Sequence, residues 1–259
     1  MASFEELLKG VDRTGGVVVP ASWMQGRATF GGLVAAVMLR QARHVCPSER
    51  RVRSLNLSFV GPLGDNPASV DTVVLRAGRS LTHLETTLHE GPKVRAKMLL
   101  SAGSDRPSVL SFPAAPRPVS VTPDAGVPLP NTGPIPVFTQ HFDYRITSGN
   151  LPFSGAKEPR LHGWIRHRTP TTSVLEAAVA MLDAWPAPVL PALPRPAPAS
   201  SVSWTTHVLD LPASMDEGWW YYEAESQHTS AGYSVMRARL WAPDGRMALW
   251  SDQLQVIFG

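Results

Sequence analysis

The stretch Thr29-Phe30-Gly31-Gly32-Leu33-Val34-Ala35-Ala36-Val37-Met38-Leu39 constrains this chain more than any other. Two glycines open a helix, predicted over roughly residues 30–44. At about 100° per residue its apolar side chains go all the way round, and charge returns only at Arg40 and Arg43. A helix without a polar face belongs in a core or a membrane. The run is far shorter than the roughly 20 residues a bilayer needs, so the core is expected and a membrane is not. Strand after strand follows it. A buried helix wrapped by a curved antiparallel sheet uses both features.

From Val52 the pattern has period two: Leu55, Leu57 and Phe59 alternate with Ser54, Asn56 and Ser58, the mark of a half-buried strand. Val70 to Leu75 continues as strand. Leu84, Thr86 and Leu88 form one alternating face, and Val94, Ala96, Met98 and Leu100 another, with Gly78 and Gly91-Pro92 at the turns. Upstream, residues 4–9 suit a short amphipathic helix, and Val17-Val18-Val19 with Trp23 a first strand. Residues 113–136 are thick with proline and have no period, so an extended linker is expected there. Period two returns with Phe138, Gln140, Phe142, Tyr144 and Ile146. Gly163-Trp164-Ile165-Arg166 then leads into a second helix over 172–185, capped by Thr171, Thr172 or Ser173. Four more strands are expected near 201–209, 219–226, 233–241 and 247–258.

The two halves share an order: strand, helix, four strands. Leu33-Val34-Ala35-Ala36-Val37 also falls on Leu175-Glu176-Ala177-Ala178-Val179. We read an internal duplication, with an N-terminal unit over 1–112, the linker over 113–136 and a C-terminal unit over 137–259.

Composition excludes several functions. The 259 residues are 43% apolar and 17% charged, a globular balance. The net charge of +3 is spread without a dense Lys/Arg tract, which argues against nucleic acid as partner. One cysteine, Cys46, permits neither an internal disulfide nor a cysteine-based zinc site and fits a reducing cytoplasm. The first residues show no signal-peptide pattern. There is no G-x-S-x-G elbow, no phosphate-binding glycine loop, and no metal spacing among the histidines, so neither metal nor cofactor is expected.

Several segments together resemble the double-hotdog acyl-CoA thioesterases of the thioesterase II type. Arg27-Ala28-Thr29-Phe30-Gly31-Gly32 is similar to that family's helix opening. Val52 to Pro62 resembles the strand after the helix, and Gly78-Arg79-Ser80 a strand turn. Gly232-Tyr233-Ser234, Arg237 to Trp241 and Asp244-Gly245-Arg246 resemble its closing hairpin. The resemblance implies an α+β fold, a double hotdog of two tandem helix-wrapped antiparallel sheets. It also implies an acyl-CoA substrate and pairing of copies through sheet edges. The family's water-holding aspartate, hydroxyl and glutamine fall on Asp183, Ser201 and Gln253, with Ser200 and Ser203 neighbouring the hydroxyl. Phe30, Gly31 and Gly32 fall on its substrate-binding helix start. Leu33 stands where the family often has glutamine.

The residue types suit that chemistry. A carboxylate can activate water, a hydroxyl and an amide can orient it, and backbone N–H groups at a glycine-opened helix start can polarise a thioester carbonyl. Read alone, Asp183 is a solvated helix residue, Ser201 a strand-edge hydroxyl and Gln253 a sheet polar group. Arg40, Arg43, Arg50, Arg51 and Arg53 could meet coenzyme A phosphates or form a solvated face. Trp204, Trp219, Trp220 and Tyr222 could line an apolar or aryl acyl pocket or belong to the core. Two other functions stay open: a non-catalytic acyl-CoA or acyl-carrier binding module, and a hotdog enoyl-CoA hydratase. The hydratase needs a histidine beside the aspartate, and loop 184–199 holds none.

Overall fold

The computed structural model describes residues 2–118, 121–130, 135–215 and 218–258. Parts of the expected linker, 119–120 and 131–134, therefore lie outside the described residues. Helix α1 (Phe4–Thr14) is longer than its periodicity suggests and opens on a capping box between Ser3 and Glu6. The two-residue strands β1 (Gly16–Val17), β2 (Met24–Gln25) and β3 (Ala28–Thr29) lead into α2 (Gly31–Val45). Strands β4 (Arg51–Phe59), β5 (Ala68–Ala77), β6 (Leu81–Glu90) and β7 (Lys93–Gly103) complete the first half. The second half holds β8 (Val127–Pro128), β9 (Phe142–Gly149), β10 (Arg160–His167), α3 (Val174–Asp183), β11 (Ala199–Val208), β12 (Trp220–Ser230), β13 (Tyr233–Trp241) and β14 (Met247–Ile257).

Both halves join in one twelve-stranded sheet, ordered β1-β5-β6-β7-β4-β11-β14-β13-β12-β10-β9-β8. The join is the antiparallel pair β4–β11, centred where Thr205 faces Asn56 and donates its hydroxyl to the Asn56 side-chain oxygen at 2.9 Å. The sheet curls around α2 and α3, which pack against each other. Residues 32–39 of α2 and 175–182 of α3 are buried, as an all-apolar helix surface requires. The two helices approach so closely that a Cβ on Gly32 would lie 2.9 Å from the Ala180 carbonyl oxygen and 2.4 Å from the Phe30 ring. This is a double hotdog of α+β class.

Three local expectations are corrected. Residues 137–141 form a 3-10 turn after Pro136 and not the start of a strand, so Phe138 stacks on Phe30 at 4.0 Å instead of joining the sheet. Gly163 to Arg166 is the middle of strand β10. The proline-rich stretch after residue 112 does not simply cross between halves. Val127–Pro128 join the sheet edge as β8, while Ala115, Arg117 and Val121 lie on the outer face of the sheet, over a second small core of Trp164, Tyr221, Trp241 and Met247. There the indole N–H of Trp241 donates to the Ala115 carbonyl at 3.1 Å and that of Trp164 to the Val121 carbonyl at 2.8 Å.

Candidate active site

Asp183 ends α3, and that end is held from two sides. The buried Tyr144 hydroxyl donates to the Ala184 carbonyl at 3.0 Å, and Trp185 stacks on Tyr222 at 4.9 Å. Helices α2 and α3 run so that the end of one meets the start of the other. The carboxylate consequently sits over Gly31, where a Cβ would come within 2.8 Å of Asp183 Oδ2. The backbone N–H of Gly32 donates to the carboxylate.

The three residues placed by resemblance converge. Gln253 Nε2 donates to Asp183 Oδ1 at 3.0 Å and to Ser201 Oγ at 2.8 Å. Both of its amide hydrogens are thereby used. Of the three serines, Ser201 is the one in the site. Ser200 is exposed, and Ser203 pairs with Leu254 on the opposite face, because a bulge at Val202 shifts the register of β11 between Ser201 and Ser203. Gln253 is buried, whereas Asp183 and Ser201 each keep partial exposure. A water can reach the carboxylate and the hydroxyl while the amide closes the site from behind.

Burial raises the Asp183 carboxyl from its ordinary 3.8 to about 7, and the bonds from Gln253 and the Gly32 N–H restrain that rise. A carboxylate ionising near neutrality is matched to general-base work. The phenols of Tyr222 and Tyr144 are pushed upward, chiefly by burial and further by the charge of Asp183, so they stay neutral beside it. The Gly32 N–H is held by Asp183 itself. The helix start expected to polarise a thioester carbonyl thus also steadies the carboxylate.

The strand registers show why one half carries this set and the other does not. The bulge between Ser201 and Ser203 recurs between Val52 and Ser54, at equal distance from the Thr205–Asn56 centre. By that correspondence Ser201 matches Val52, Gln253 matches Leu100 and Gln255 matches Ala102, and these three first-half residues are buried and apolar. The start of α3, the counterpart of the glycine-opened α2, is occupied by Glu5. This carboxylate accepts from the Thr172 N–H at 3.2 Å and from the Thr171 and Thr172 hydroxyls at 2.5 and 3.0 Å. The expected side-chain cap from Thr171, Thr172 or Ser173 is not made: Ser173 stands at the N-cap without a cap bond, and the hydroxyls before the helix turn to Glu5 of α1 instead.

Other sequence candidates fall elsewhere. Arg40 pairs with Asp12, Arg43 with the fully buried Glu176, and Arg51 and Arg53 with Asp105, while Arg50 binds Thr82 and the Gly78 carbonyl. Trp219 stands on the outer face between Arg145 and Arg166, away from the helices, whereas Trp204, Trp220 and Tyr222 are buried in the core. His167 is half-buried, its pKa lowered to about 4 by desolvation, and its ring nitrogen is committed to the Ala177 carbonyl. Gln255 escaped the sequence reading. Its signal was the period of two from Gln253, which puts it on the same inward face of β14.

Residues 114–257 match the acyl-CoA thioesterase C-terminal domain, and residues 19–103 match the corresponding N-terminal domain. The chain belongs to the acyl-CoA thioesterase family. This thioesterase is similar in fold to a conserved protein of unknown function with a hot dog fold from Alicyclobacillus acidocaldarius, at 24% identity and TM-score 0.83, over 94% of this chain and 92% of that one. An acyl-CoA thioesterase II from Mycobacterium marinum is 17% identical with a TM-score of 0.72, over 89% and 90% of the two chains. A candidate thioesterase II from Thermobifida fusca YX is 21% identical with a TM-score of 0.80, over 94% and 92%. No curated protein sequence matches. Among the described residues, no helix is long and apolar enough to cross a membrane.

Proposed function

We propose that this thioesterase hydrolyses acyl-CoA to free acid and coenzyme A by water activated at Asp183, without a covalent intermediate. Asp183 takes a proton from the water, Ser201 orients it, and Gln253 holds base and hydroxyl in one plane of hydrogen bonds. Attack on the thioester carbonyl gives a tetrahedral oxyanion beside the start of α2, whose dipole end favours that charge. Collapse expels the thiolate, a good leaving group with a pKa near 8.5 by analogy with cysteine. We assign one such centre to each chain, in the unit over 137–259, with the unit over 1–112 supplying the glycine-opened helix. The lone Cys46 fits a cytoplasmic location, and exposed Val73, Val74 and Leu75 on β5 suit pairing of copies through a sheet edge.

The observation that carries this reading is the bridge from Gln253 to both Asp183 and Ser201. The test is free-thiol release from short, medium, long and aryl acyl-CoAs by wild type and Asp183→Asn. Turnover by wild type with a loss of about a hundredfold or more in the variant supports it. Equal activity in both removes Asp183 from the chemistry. Binding of acyl-CoA without any thiol release makes the protein a binding module.

A further inference from the structure

We propose that Gln255 is a positioning residue of this centre: it sets which way the Gln253 amide faces, and so keeps base and hydroxyl aligned. The inference rests on the water-activation reading above. Gln255 Nε2 donates to Gln253 Oε1 at 3.0 Å, and the bond is buried. A primary amide has two faces of similar shape and opposite polarity. With its N–H groups toward Asp183 and Ser201, Gln253 supports an ionised carboxylate. Turned over, it would aim an oxygen lone pair at that carboxylate. A donor behind its oxygen selects the first arrangement, and Gln255 is that donor.

Two observations mark this as more than filling. Gln255 is nine-tenths buried, and its own Oε1 has no hydrogen-bond partner within the protein. An unmatched buried acceptor costs about 1–3 kcal/mol, so packing alone would favour an apolar residue here. The matching position in the first half, Ala102, is apolar and fully buried. Gln255 also pairs directly across the sheet with Ser201, at the bulge that turns Ser201 inward. It therefore touches both ends of the triad's backing: the amide through its side chain and the serine through its strand.

The groups facing Asp183 are Gly31 and Gly32 from α2, Gln253 from β14, and the neutral phenols of Tyr144 from β9 and Tyr222 from β12, with Arg168 acting on Tyr144. Loosening the Gln253 bond removes one of the contacts that favour the ionised carboxylate. The acid limb of the rate profile should then move to higher pH.

The experiment is kcat/KM against pH for wild type, Gln255→Met, Gln255→Glu and Asp183→Asn, using the acyl-CoA that wild type turns over best. Thermal melting of each variant is measured alongside. We expect Gln255→Met to melt at or above the wild-type temperature, to lose about tenfold to a hundredfold in rate, and to move its acid limb up by about 0.5 or more in pH. Gln255→Glu should move it further, because a carboxylate there draws the N–H face of Gln253 away from Asp183. Rate loss with an unmoved limb in both variants reduces Gln255 to packing and overturns the proposal, as does wild-type behaviour in both. Full activity of Asp183→Asn instead overturns the water-activation reading, and this proposal with it.

Discussion

The clearest consequence of the site is that Asp183 works against the stability of the fold. Its carboxyl moves from an ordinary 3.8 to about 7, chiefly through burial. At about 1.4 kcal/mol per pH unit, that difference is worth about 4 kcal/mol. The folded pKa lies above the unfolded one, so the folded chain holds the proton more tightly. The contribution to stability is complete below about pH 4 and is lost as pH rises through about 7. Partial exposure of the side chain softens the effect, and we expect about 2–4 kcal/mol. Asp183→Asn keeps the shape and removes the charge. Any hydrogen bond it weakens, from Gln253 or from the Gly32 N–H, is weakened at every pH. The assay is therefore a difference of differences: urea unfolding of wild type and variant at pH 4.5 and pH 8.5. The variant should gain about 2–4 kcal/mol on wild type between the two conditions, while losing its catalysis. A gap that stays constant, or that moves against the variant at high pH, would refute the burial argument.

Further outcomes follow from the same geometry. Because the base must be ionised, wild-type kcat/KM should rise with pH through about 7 and then level off, as read by thiol release across pH 5–9. Gly31→Ala presses a methyl onto Asp183 Oδ2, so activity should fall by tenfold or more, on the order expected for a misplaced catalytic group, with little change in melting temperature. Gly32→Ala meets the Ala180 backbone and the Phe30 ring, so it should cost about 1–3 kcal/mol of stability in denaturant titration. Burial raises the Glu5 carboxyl, but the bonds from Thr171, Thr172 and Ser173 outweigh this and lower it overall. Its tie between α1 and the turn before α3 is therefore present above the unfolded carboxylate pKa and lost as pH falls through the lowered one. Glu5→Gln weakens these charged hydrogen bonds and should cost about 0.5–2 kcal/mol at pH 7, and less at pH 3, by the same titration.

The buried helix was legible because nothing else explains an apolar surface on all sides, and residues 32–39 are buried as that argument requires. The strands were legible wherever one face meets water, as at Leu55, Leu57 and their polar neighbours. The pattern failed where the fold inverts it. On β14 the inward residues Ser251, Gln253 and Gln255 are polar and the outward Leu254 and Val256 apolar, so hydropathy alone points the wrong face at the core. β10 looked like an approach to the helix because both faces are covered, one by the core and one by the linker over Trp164. Phe138 and Gln140 kept a period of two by chance. Pro136 turns the chain there before Phe142 begins the strand. Asp183, Ser201 and Gln253 entered through resemblance to a family. Spacing could not join residues from α3, β11 and β14. The correspondence of Gln253 with Leu100 was out of reach for the same reason, since only strand register brings the two together.

The most direct test of the central claim is a single turnover in ¹⁸O-enriched water, with enzyme in excess over its best acyl-CoA substrate. If Asp183 activates water, the acid released in that first turnover carries one ¹⁸O, and the peptide containing Asp183 carries none. If the carboxylate attacks the thioester itself and water then opens the resulting anhydride at the Asp183 carbonyl, the first acid takes unlabelled oxygen from the protein and the label appears in the Asp183 peptide. That result would contradict the mechanism proposed here.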